Sequence, residues 1–291
     1  MAVTDSPDRP LLKIAVPNKG SLAEAAATML REAGYRQRWD VKDLVFVDER
    51  NAVEFYYLRP RDIAVYVGEG TLDVGLTGRD MLIDSGAHAE EVLSLGFGGT
   101  KFRFAAPGGS AMTLTDLEGL RLATSYPGLL RSYLDRHGVT ARLIPLDGAV
   151  ESAIRLGVAD AIADVVETGT TLRRNGLHVF GEAILESEAI LIRRRTAEPP
   201  AGYDQLVRRL EGVIVARDYV LMDYDIANEN LDAAIAIAPG REGPTVSPLA
   251  KSGWSAVRSM VPRKQAQPLM DELWDAGARA ILVTTIAACR L

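Results

Sequence analysis

Apolar and polar residues alternate along the first two hundred residues in a way that predicts short strands, each followed by an amphipathic helix. The first strand is the apolar run Leu12–Val16, and a helical pattern follows its turn and extends to about Ala33. Further strands are predicted at Phe55–Leu58, Asp73–Thr77, Leu120–Thr124, Arg142–Pro145 and Asp160–Val166, and further helices at residues 60–67, Gly78–Asp84, Pro127–His137, Ala149–Gly157 and Thr168–Arg174. Strands that alternate with helices of this length predict α/β architecture with parallel sheets.

A different pattern begins after the proline-containing stretch Glu198–Gly202 and the helix that follows it. Strands are predicted at Val220–Ile226, Thr245–Leu249, Trp254–Val261 and Ala280–Ile286, and helices at Asn228–Ile237 and Gln265–Ala276. The order is β-α-β-β-α-β, which is the ferredoxin-like arrangement. By analogy, such a unit in the tail of a chain is more often a regulatory or assembly module than a catalytic one.

The composition is that of an ordinary globular protein: 291 residues, 47% hydrophobic and 25% charged, enough for two or three domains. No apolar run approaches the ~18–20 residues of a membrane helix, and the polar N-terminus lacks the pattern of a secretory signal. One cysteine, Cys289, and three scattered histidines indicate neither an internal disulfide nor a zinc site. These features predict a cytoplasmic protein with no membrane partner.

The net charge of −6, from 39 acidic and 33 basic residues, argues against binding of nucleic acid through the general field of the protein. An anionic ligand must therefore be held by local groups, such as a helix N-terminus, a glycine-rich turn or a few arginines.

The stretch Glu151–Leu172 has the most chemical information. Asp160 and Asp164 share one face of a predicted strand, because alternate residues of a strand point to the same side. The Thr-Gly-Thr-Thr run at 168–171 follows, and its N–H and hydroxyl groups predict a phosphate cradle supported by a helix dipole. A carboxylate at the carboxyl end of a parallel strand can hold ribose hydroxyls or Mg²⁺ nearby. Helix capping by the threonines and a surface position for Asp160 are the alternatives.

The order of the motifs resembles that of the ATP phosphoribosyltransferases in their long form. The resemblance rests on VPNKGSL at 16–22, LRPRDI at 58–63, LDVGLTGRD at 72–80 and the run from Glu151 to Thr170, and it covers nearly the whole chain. It implies a two-lobed core like that of periplasmic binding proteins and a C-terminal ferredoxin-like (ACT-like) regulatory domain. The implied domains are a first lobe at 1–100 with a return segment at about 191–217, a second lobe at 101–190, and a regulatory domain at 218–291.

The resemblance also implies the reaction and its residues. The enzyme would transfer the phosphoribosyl group of phosphoribosyl pyrophosphate to N1 of ATP, the first step of histidine biosynthesis, with Mg²⁺ held mainly by substrate phosphates. The catalytic residues would be Lys19, Arg59 and Asp164. The substrate-binding residues would be Glu151, Asp160, Asp164, Thr168, Gly169, Thr170, Thr171 and Asp80. Which of Arg61, Arg79 and Arg103 joins them is left open.

The resemblance further implies feedback inhibition by histidine and a homo-oligomer that assembles from dimers to a hexamer. Asp225, Thr245 and Ala280 would line the histidine pocket, with Asp223 as the competitor for the role of Asp225.

Elementary chemistry is compatible with this reaction. Adenine N1 is already nucleophilic, so a Ser–His or Cys–His pair is not required. Catalysis requires instead that the enzyme hold its two polyanionic substrates in line and neutralise the charge of the departing pyrophosphate.

Two other interpretations compete. A solute-binding protein or the effector domain of a transcription regulator would need an export signal or a helix-turn-helix segment, and neither is evident. Another phosphoribosyltransferase class usually has two adjacent acidic residues in its loop, whereas Val165 follows Asp164 here.

Overall fold

The structure is a computed structural model that describes residues 10–108, 112–166, 169–195 and 198–290. The chain divides into two compact units, of which the first contains the residues up to Arg31 and Tyr35–Asp204. The second unit contains Glu32–Gly34 and the residues from Gln205 onward. The finer limits expected for two lobes and a regulatory domain remain a prediction.

The first unit contains two α/β lobes. Its elements in chain order are β1 (Leu12–Pro17), α1 (Ser21–Glu32), β2 (Val45–Asp48), β3 (Val53–Leu58), α2 (Pro60–Gly68), β4 (Val74–Gly78), α3 (Arg79–Ser85), β5 (Ala89–Ser94), β6 (Thr100–Pro107), β7 (Arg121–Thr124), α4 (Pro127–His137), β8 (Arg142–Pro145), α5 (Ser152–Arg155), β9 (Ala161–Val166), α6 (Thr170–Arg174), β10 (Leu177–Ser187) and β11 (Ala189–Arg194).

The first lobe is built on a six-stranded sheet with the order β2-β3-β1-β4-β11-β5. Strands β1, β3 and β4 are parallel, so their carboxyl ends meet at one edge of the sheet. Helix α2 buries Ile63, Ala64 and Val67 against a core that includes Ala15 and Ile190. These positions recur at helical spacing, which is why this segment forms an amphipathic helix on the sheet.

The second lobe is built on a five-stranded sheet with the order β10-β6-β9-β7-β8. Strands β7, β8 and β9 are parallel, and β6 is antiparallel to both of its neighbours, β9 and β10. One face of the sheet packs Phe102, Phe104 and Leu122 against Leu130 of α4. The other face packs Ala105 and other small residues under the segment that contains α5 and α6.

The chain passes between the two lobes twice, once between β5 and β6 and once between β10 and β11. On its return, β11 enters the first sheet between β4 and β5 and is antiparallel to both. This is the two-lobed arrangement that the resemblance implied.

The second unit is a four-stranded antiparallel sheet with helices on one face. After α7 (Tyr203–Asp218), its elements are β12 (Tyr219–Ala227), α8 (Leu231–Ile237), β13 (Thr245–Pro248), β14 (Trp254–Pro262), α9 (Ala266–Asp275) and β15 (Arg279–Thr285). The strand order β13-β14-β12-β15 is that of the ferredoxin-like fold. Alternate residues of β12, including Met222 and Tyr224, are buried with Leu273 in the core of this unit, which confirms the ferredoxin-like prediction.

The sheets of the first unit differ from the parallel sheets that the sequence predicted. Both are mixed, and the antiparallel members include β2, β6, β10 and β11, none of which was predicted from the sequence, nor was β5. The helix expected at Ala149–Gly157 is shortened to α5, because Ala149 and Gly157 both adopt positive φ angles that a helix does not allow. Among the helices that the structure describes, none combines the length and the apolar character that crossing a bilayer requires.

Candidate functional site

Three of the predicted residues follow the carboxyl ends of three parallel strands of the first lobe. Lys19 follows β1, Arg59 directly follows β3, and Asp80 lies in the first turn of α3 after β4. Lys19 and Arg59 are exposed, and within the described residues neither takes part in an ion pair. Two unpaired cations at one edge of a sheet form a surface suited to a polyanion.

Asp80, by contrast, is buried among protein partners. Its Oδ1 accepts a hydrogen bond from the Ser187 hydroxyl at 2.9 Å, and its backbone N–H donates to Ser187 Oγ at 3.0 Å. Burial raises the pKa of Tyr126, and the charge of Asp80 and its hydrogen bond to the phenol raise it further. Asp80 thus fixes the end of β10 and a tyrosine of the second lobe, rather than presenting a free carboxylate.

The carboxyl edge of the second lobe forms a cavity of about 290 Å³. Its lining includes Glu151, Asp164, Gly169, Thr170 and Thr171. The structure therefore brings together five of the residues that the sequence singled out, from the start of α5, the end of β9 and the start of α6. Thr168 lies outside the described residues.

Asp164 has an unusual electrostatic environment. Burial raises the pKa of its carboxyl group from 3.8 to about 6, against the effect of the hydrogen bond that its Oδ1 accepts from the Val165 N–H at 2.8 Å. The neighbouring charge of Glu151 raises this pKa further, and the charge of Arg61 lowers it. A desolvated carboxylate that faces open space in a cavity is a common feature of catalytic sites.

The turn before α6 owes its shape to Gly169. This residue precedes the helix with φ +68°, in the left-handed region that favours glycine. Helix α6 contains only five residues, so its dipole is small and the dipole support that the sequence suggested is weak. The turn can therefore bind a phosphate only through its own main-chain N–H groups and threonine hydroxyls, which lie next to Asp164.

The structure does not bring Asp160 to this cavity, although the resemblance implied that it would lie close by. Asp160 lies just before β9, four residues and ~13 Å of extended chain from Asp164. Its carboxylate binds Arg121 in two places, at 2.7 Å and 3.1 Å, and also accepts the Arg121 backbone N–H at 2.9 Å. These bonds lower the pKa of Asp160 to about 2. The pair joins the starts of β7 and β9, at the opposite edge of the sheet.

The structure also separates the three arginines that the sequence left open. Arg79 is held in the first lobe by Glu91 at 2.7 Å and by Glu188 at 3.2 Å. Arg103 lies directly opposite Asp164 in the antiparallel pair β6–β9, so both side chains leave the same face of the sheet. Its Nη2 donates to the Gly181 carbonyl oxygen, and its Nε is buried without a partner among the described residues.

Arg61, on α2 of the first lobe, is near enough to Asp164 for its charge to lower the pKa of that carboxyl group. It pairs with Asp84 at 2.7 Å, and its guanidinium lies 4.8 Å from the centroid of the Tyr126 ring. Arg61 and Arg103 are therefore the two arginines associated with Asp164. Tyr126 was missed by sequence reasoning, although its place between β7 and α4, at the carboxyl edge of the sheet, was a signal. Asp84 and Ser187 had no such signal.

In the second unit, the residues predicted to bind an effector lie on the face of the sheet away from its helices. Asp225 is on β12 and Thr245 on the edge strand β13. Ala280 has φ +50° at the irregular register between β12 and β15. The competitor Asp223 is already paired with Arg258 at 2.7 Å, whereas among the described residues Asp225 has no ion pair.

Metal binding by the protein alone finds little support in the described part of the chain, where no group of three or more His, Cys, Asp or Glu side chains is suited to hold an ion. The cavity does present oxygen donors only, from Glu151, Asp164 and the threonines, which is the donor chemistry that Mg²⁺ accepts.

Comparison with known proteins adds independent information. The family model described as ATP phosphoribosyltransferase matches residues 59–212, and the model described as the C-terminal domain of HisG matches residues 216–288. The ATP phosphoribosyltransferase of Arthrobacter sp. (strain FB24) is 62% identical over 286 residues, which are 97% of this chain and 100% of that protein. The enzyme of that name from Streptomyces coelicolor is 59% identical over 285 residues, again 97% of this chain and 100% of that protein.

The fold of this chain is also similar to that of a solved structure. The ATP phosphoribosyl transferase (HisG:HisZ) complex from Thermotoga maritima contains a chain that is 26% identical, with a TM-score of 0.59. The match covers 70% of this chain and 98% of that chain.

Proposed function

The chain belongs to the ATP phosphoribosyltransferase family, the pentosyltransferases of histidine biosynthesis, and from this premise we propose that it joins the phosphoribosyl group of phosphoribosyl pyrophosphate to N1 of ATP. The products would be N1-(5-phosphoribosyl)-ATP and pyrophosphate. The observation that carries the proposal is the cavity in which Asp164 and Glu151 face the turn at Gly169–Thr171. It offers donors for a phosphate and acceptors for ribose hydroxyls side by side.

The roles of the residues follow from the charge that develops during transfer. As the bond from C1 of the ribose to pyrophosphate breaks, positive charge grows on the ribose and negative charge on the leaving group. We assign to Asp164 the stabilisation of the ribose charge, since a desolvated carboxylate acts strongly at short range. The electron pair leaves with pyrophosphate, and the lone pair of adenine N1 forms the new bond.

Lys19 and Arg59 are proposed to bind the phosphates from the first lobe. Both are exposed cations at the carboxyl edge of that sheet, and neutralisation of a departing pyrophosphate is worth most when the cations are already in place. Mg²⁺, carried mainly by the substrate phosphates, would supply further positive charge there. A cleft between two lobes suits this chemistry because it can exclude water that would hydrolyse the activated sugar.

A direct assay tests the reaction. Purified protein is mixed with ATP, phosphoribosyl pyrophosphate, Mg²⁺ and pyrophosphatase, and the N1-substituted nucleotide is followed by chromatography. Asp164→Asn should abolish turnover while keeping the fold, whereas the same substitution at the exposed Asp135 of α4 should leave turnover unchanged. Wild-type-like turnover by Asp164→Asn would remove the cavity from the mechanism.

We also propose that histidine inhibits the enzyme by binding the open sheet face of the second unit. The free carboxylate of Asp225 is the group best placed to pair with a cationic ligand, since Asp223 is paired with Arg258. Asp225→Asn should therefore weaken inhibition by histidine and leave turnover intact, with Asp223→Asn as the matched control. Equal inhibition of both variants and the wild type would refute this site.

A homo-oligomer is proposed from an exposed apolar surface of the first lobe. Trp39 is 98% exposed, and Val41, Leu44, Val45 and Val47 are exposed beside it. Large apolar groups clustered on a surface usually mark a contact with another chain. Light scattering should give a mass above 31.5 kDa, and Trp39→Glu should lower it. Because ATP and phosphoribosyl pyrophosphate are cytoplasmic metabolites, we place the reaction in the cytoplasm.

A further inference from the structure

Asp84, at the end of α3 in the first lobe, makes a contact that joins the two lobes. Its Oδ1 accepts hydrogen bonds from the backbone N–H groups of Gly128 at 2.8 Å and Leu129 at 3.1 Å. Both belong to the first turn of α4 in the second lobe, where a helix leaves its own N–H groups unpaired. Asp84 therefore caps a helix that lies in the other lobe.

The other oxygen of the same carboxylate holds an arginine. Asp84 Oδ2 accepts a hydrogen bond from Arg61 Nη1 at 2.7 Å. The side chain of Asp84 is only 8% exposed, whereas that of Arg61 is 46% exposed. A buried carboxylate with three hydrogen bonds is a fixed anchor, and Arg61 is the mobile partner that it orders.

Arg61 is held next to Tyr126 and within electrostatic reach of Asp164, a lining residue of the proposed reaction cavity. Its guanidinium lies over the ring of Tyr126 at 4.8 Å, and its positive charge lowers the pKa of Asp164. One N–H of Arg61 is used by Asp84, and about half of the side chain remains open to solvent. The guanidinium is thus positioned to meet a ligand of the cavity.

The close approach of the two lobes depends on a glycine. A Cβ placed on Gly128 would lie 2.2 Å from the backbone carbonyl oxygen of Asp84. Any larger residue at this position must therefore push α4 away from α3 and break the hydrogen bonds to Asp84.

We infer that Asp84 is a positioning residue, which holds the guanidinium of Arg61 at the Asp164 cavity and fixes α4 of the second lobe against α3 of the first. This inference rests on the proposed function, in which Arg61 meets a phosphate of the substrates. A free arginine loses rotamer entropy when it is immobilised. Asp84 orders Arg61 before the substrates bind, so that less of this cost falls on binding or on the transition state.

The test is a double-mutant cycle on turnover. Asp84→Asn keeps an oxygen for the α4 N–H groups but cannot accept from Arg61 with its amide nitrogen, so it breaks the arginine link selectively. We expect kcat/KM to fall about ten- to hundredfold, the loss that a displaced catalytic group produces. Asp135→Asn is the matched control and should behave like the wild type.

The cycle separates positioning from a general structural role. If Asp84 acts through Arg61, then Arg61→Ala and the double variant Arg61→Ala/Asp84→Asn should have the same kcat/KM within about twofold. Independent, multiplying losses would overturn the inference, and so would wild-type turnover by Asp84→Asn. Circular dichroism and the melting temperature of each variant show whether it is folded.

Gly128→Ala gives a second test that changes no charge and does not depend on the folding of Asp84→Asn. It should lower kcat/KM and should add little to the loss caused by Arg61→Ala. Gly99→Ala is its control, because a Cβ at Gly99 meets nothing within 4 Å. Unchanged turnover by Gly128→Ala would overturn the inference.

Loss of the proposed function and loss of the positioning role give different experimental results. A wild-type protein that does not turn over ATP and phosphoribosyl pyrophosphate refutes the proposed function. An active wild type whose Asp84→Asn variant matches Asp135→Asn refutes the positioning role alone.

Discussion

Replacing Asp164 by asparagine should make the protein more stable at the same time as it removes activity. The substitution keeps the shape of the side chain and an oxygen for the Val165 N–H, but it removes a charge that burial makes costly. In the folded protein the pKa of Asp164 is raised from 3.8 to about 6, chiefly because the carboxyl group is desolvated. Sites selected for reactivity often carry such a cost in stability.

The magnitude follows from linkage between protonation and folding. Because the folded-state pKa lies above the unfolded value, the stability from this group is complete below about pH 4 and is lost as the pH rises through about 6. The gap between 3.8 and about 6, at ~1.36 kcal/mol per pH unit, amounts to about 3 kcal/mol at pH 8. The same relation gives about 1.5 kcal/mol at pH 5, where the folded protein already binds the proton.

The assay is urea unfolding of the wild type and Asp164→Asn at pH 8 and pH 5, followed by circular dichroism. The variant should gain about 3 kcal/mol at pH 8 and about half of this at pH 5. Asp135→Asn, an exposed control, should stay within ~0.5 kcal/mol of the wild type at both pH values. A gain that is absent, or that does not change with pH, would show that the carboxylate is hydrated and would refute the reasoning.

Three further changes test other parts of the structure. Since the charge of Glu151 raises the pKa of Asp164, Glu151→Gln should move the acid limb of the kcat/KM profile from near pH 6 to lower pH, and an unmoved limb would contradict the coupling. Asp160→Asn should keep kcat within a few-fold of the wild-type value. It should lower the free energy of unfolding in urea by ~1 kcal/mol or less, because the ion pair with Arg121 is partly exposed. Loss of turnover would show that Asp160 belongs to the catalytic site. Gly75→Ala should destabilise by about 1–3 kcal/mol, because the new methyl would lie 2.4 Å from Cγ2 of Ile63, and an unchanged melting temperature would show that α2 can shift.

Local periodicity predicted the strand–helix units well because each unit buries one face. It did not predict β5, β6, β10 and β11, whose pairing depends on distant segments. Strand β10 illustrates the reason: its register shifts between Phe180 and Leu185, and Gly181 has φ +62°. The shift breaks the alternation by which a strand is recognised in a sequence.

The candidate site was predictable where neighbours in sequence are also neighbours in space. Asp164, Gly169, Thr170 and Thr171 lie within eight residues, and the structure places them around one cavity. Alternation could not place Asp160, because it fixes the face of a strand but not the end at which a residue lies, and because the partner Arg121 is 39 residues away. The contact between Asp84 and Gly128 joins residues that are 44 positions apart in sequence and lie in different lobes. No local sequence pattern could therefore predict it.

The late return of β11 to the first sheet has a consequence for folding of the protein during its synthesis on the ribosome. Among the strands that the structure describes, β5 pairs with β11 alone. About a hundred residues separate the two strands in the chain, and these take on the order of 5–20 s to synthesise at ~5–20 residues per second. The residues made during this interval are those of the second lobe, which is continuous in sequence and has all of its strands before β11 is made, while β5 of the first lobe still lacks the strand with which it pairs. The domain translated first is therefore completed last, and its open edge is the point at which a chaperone would be needed most.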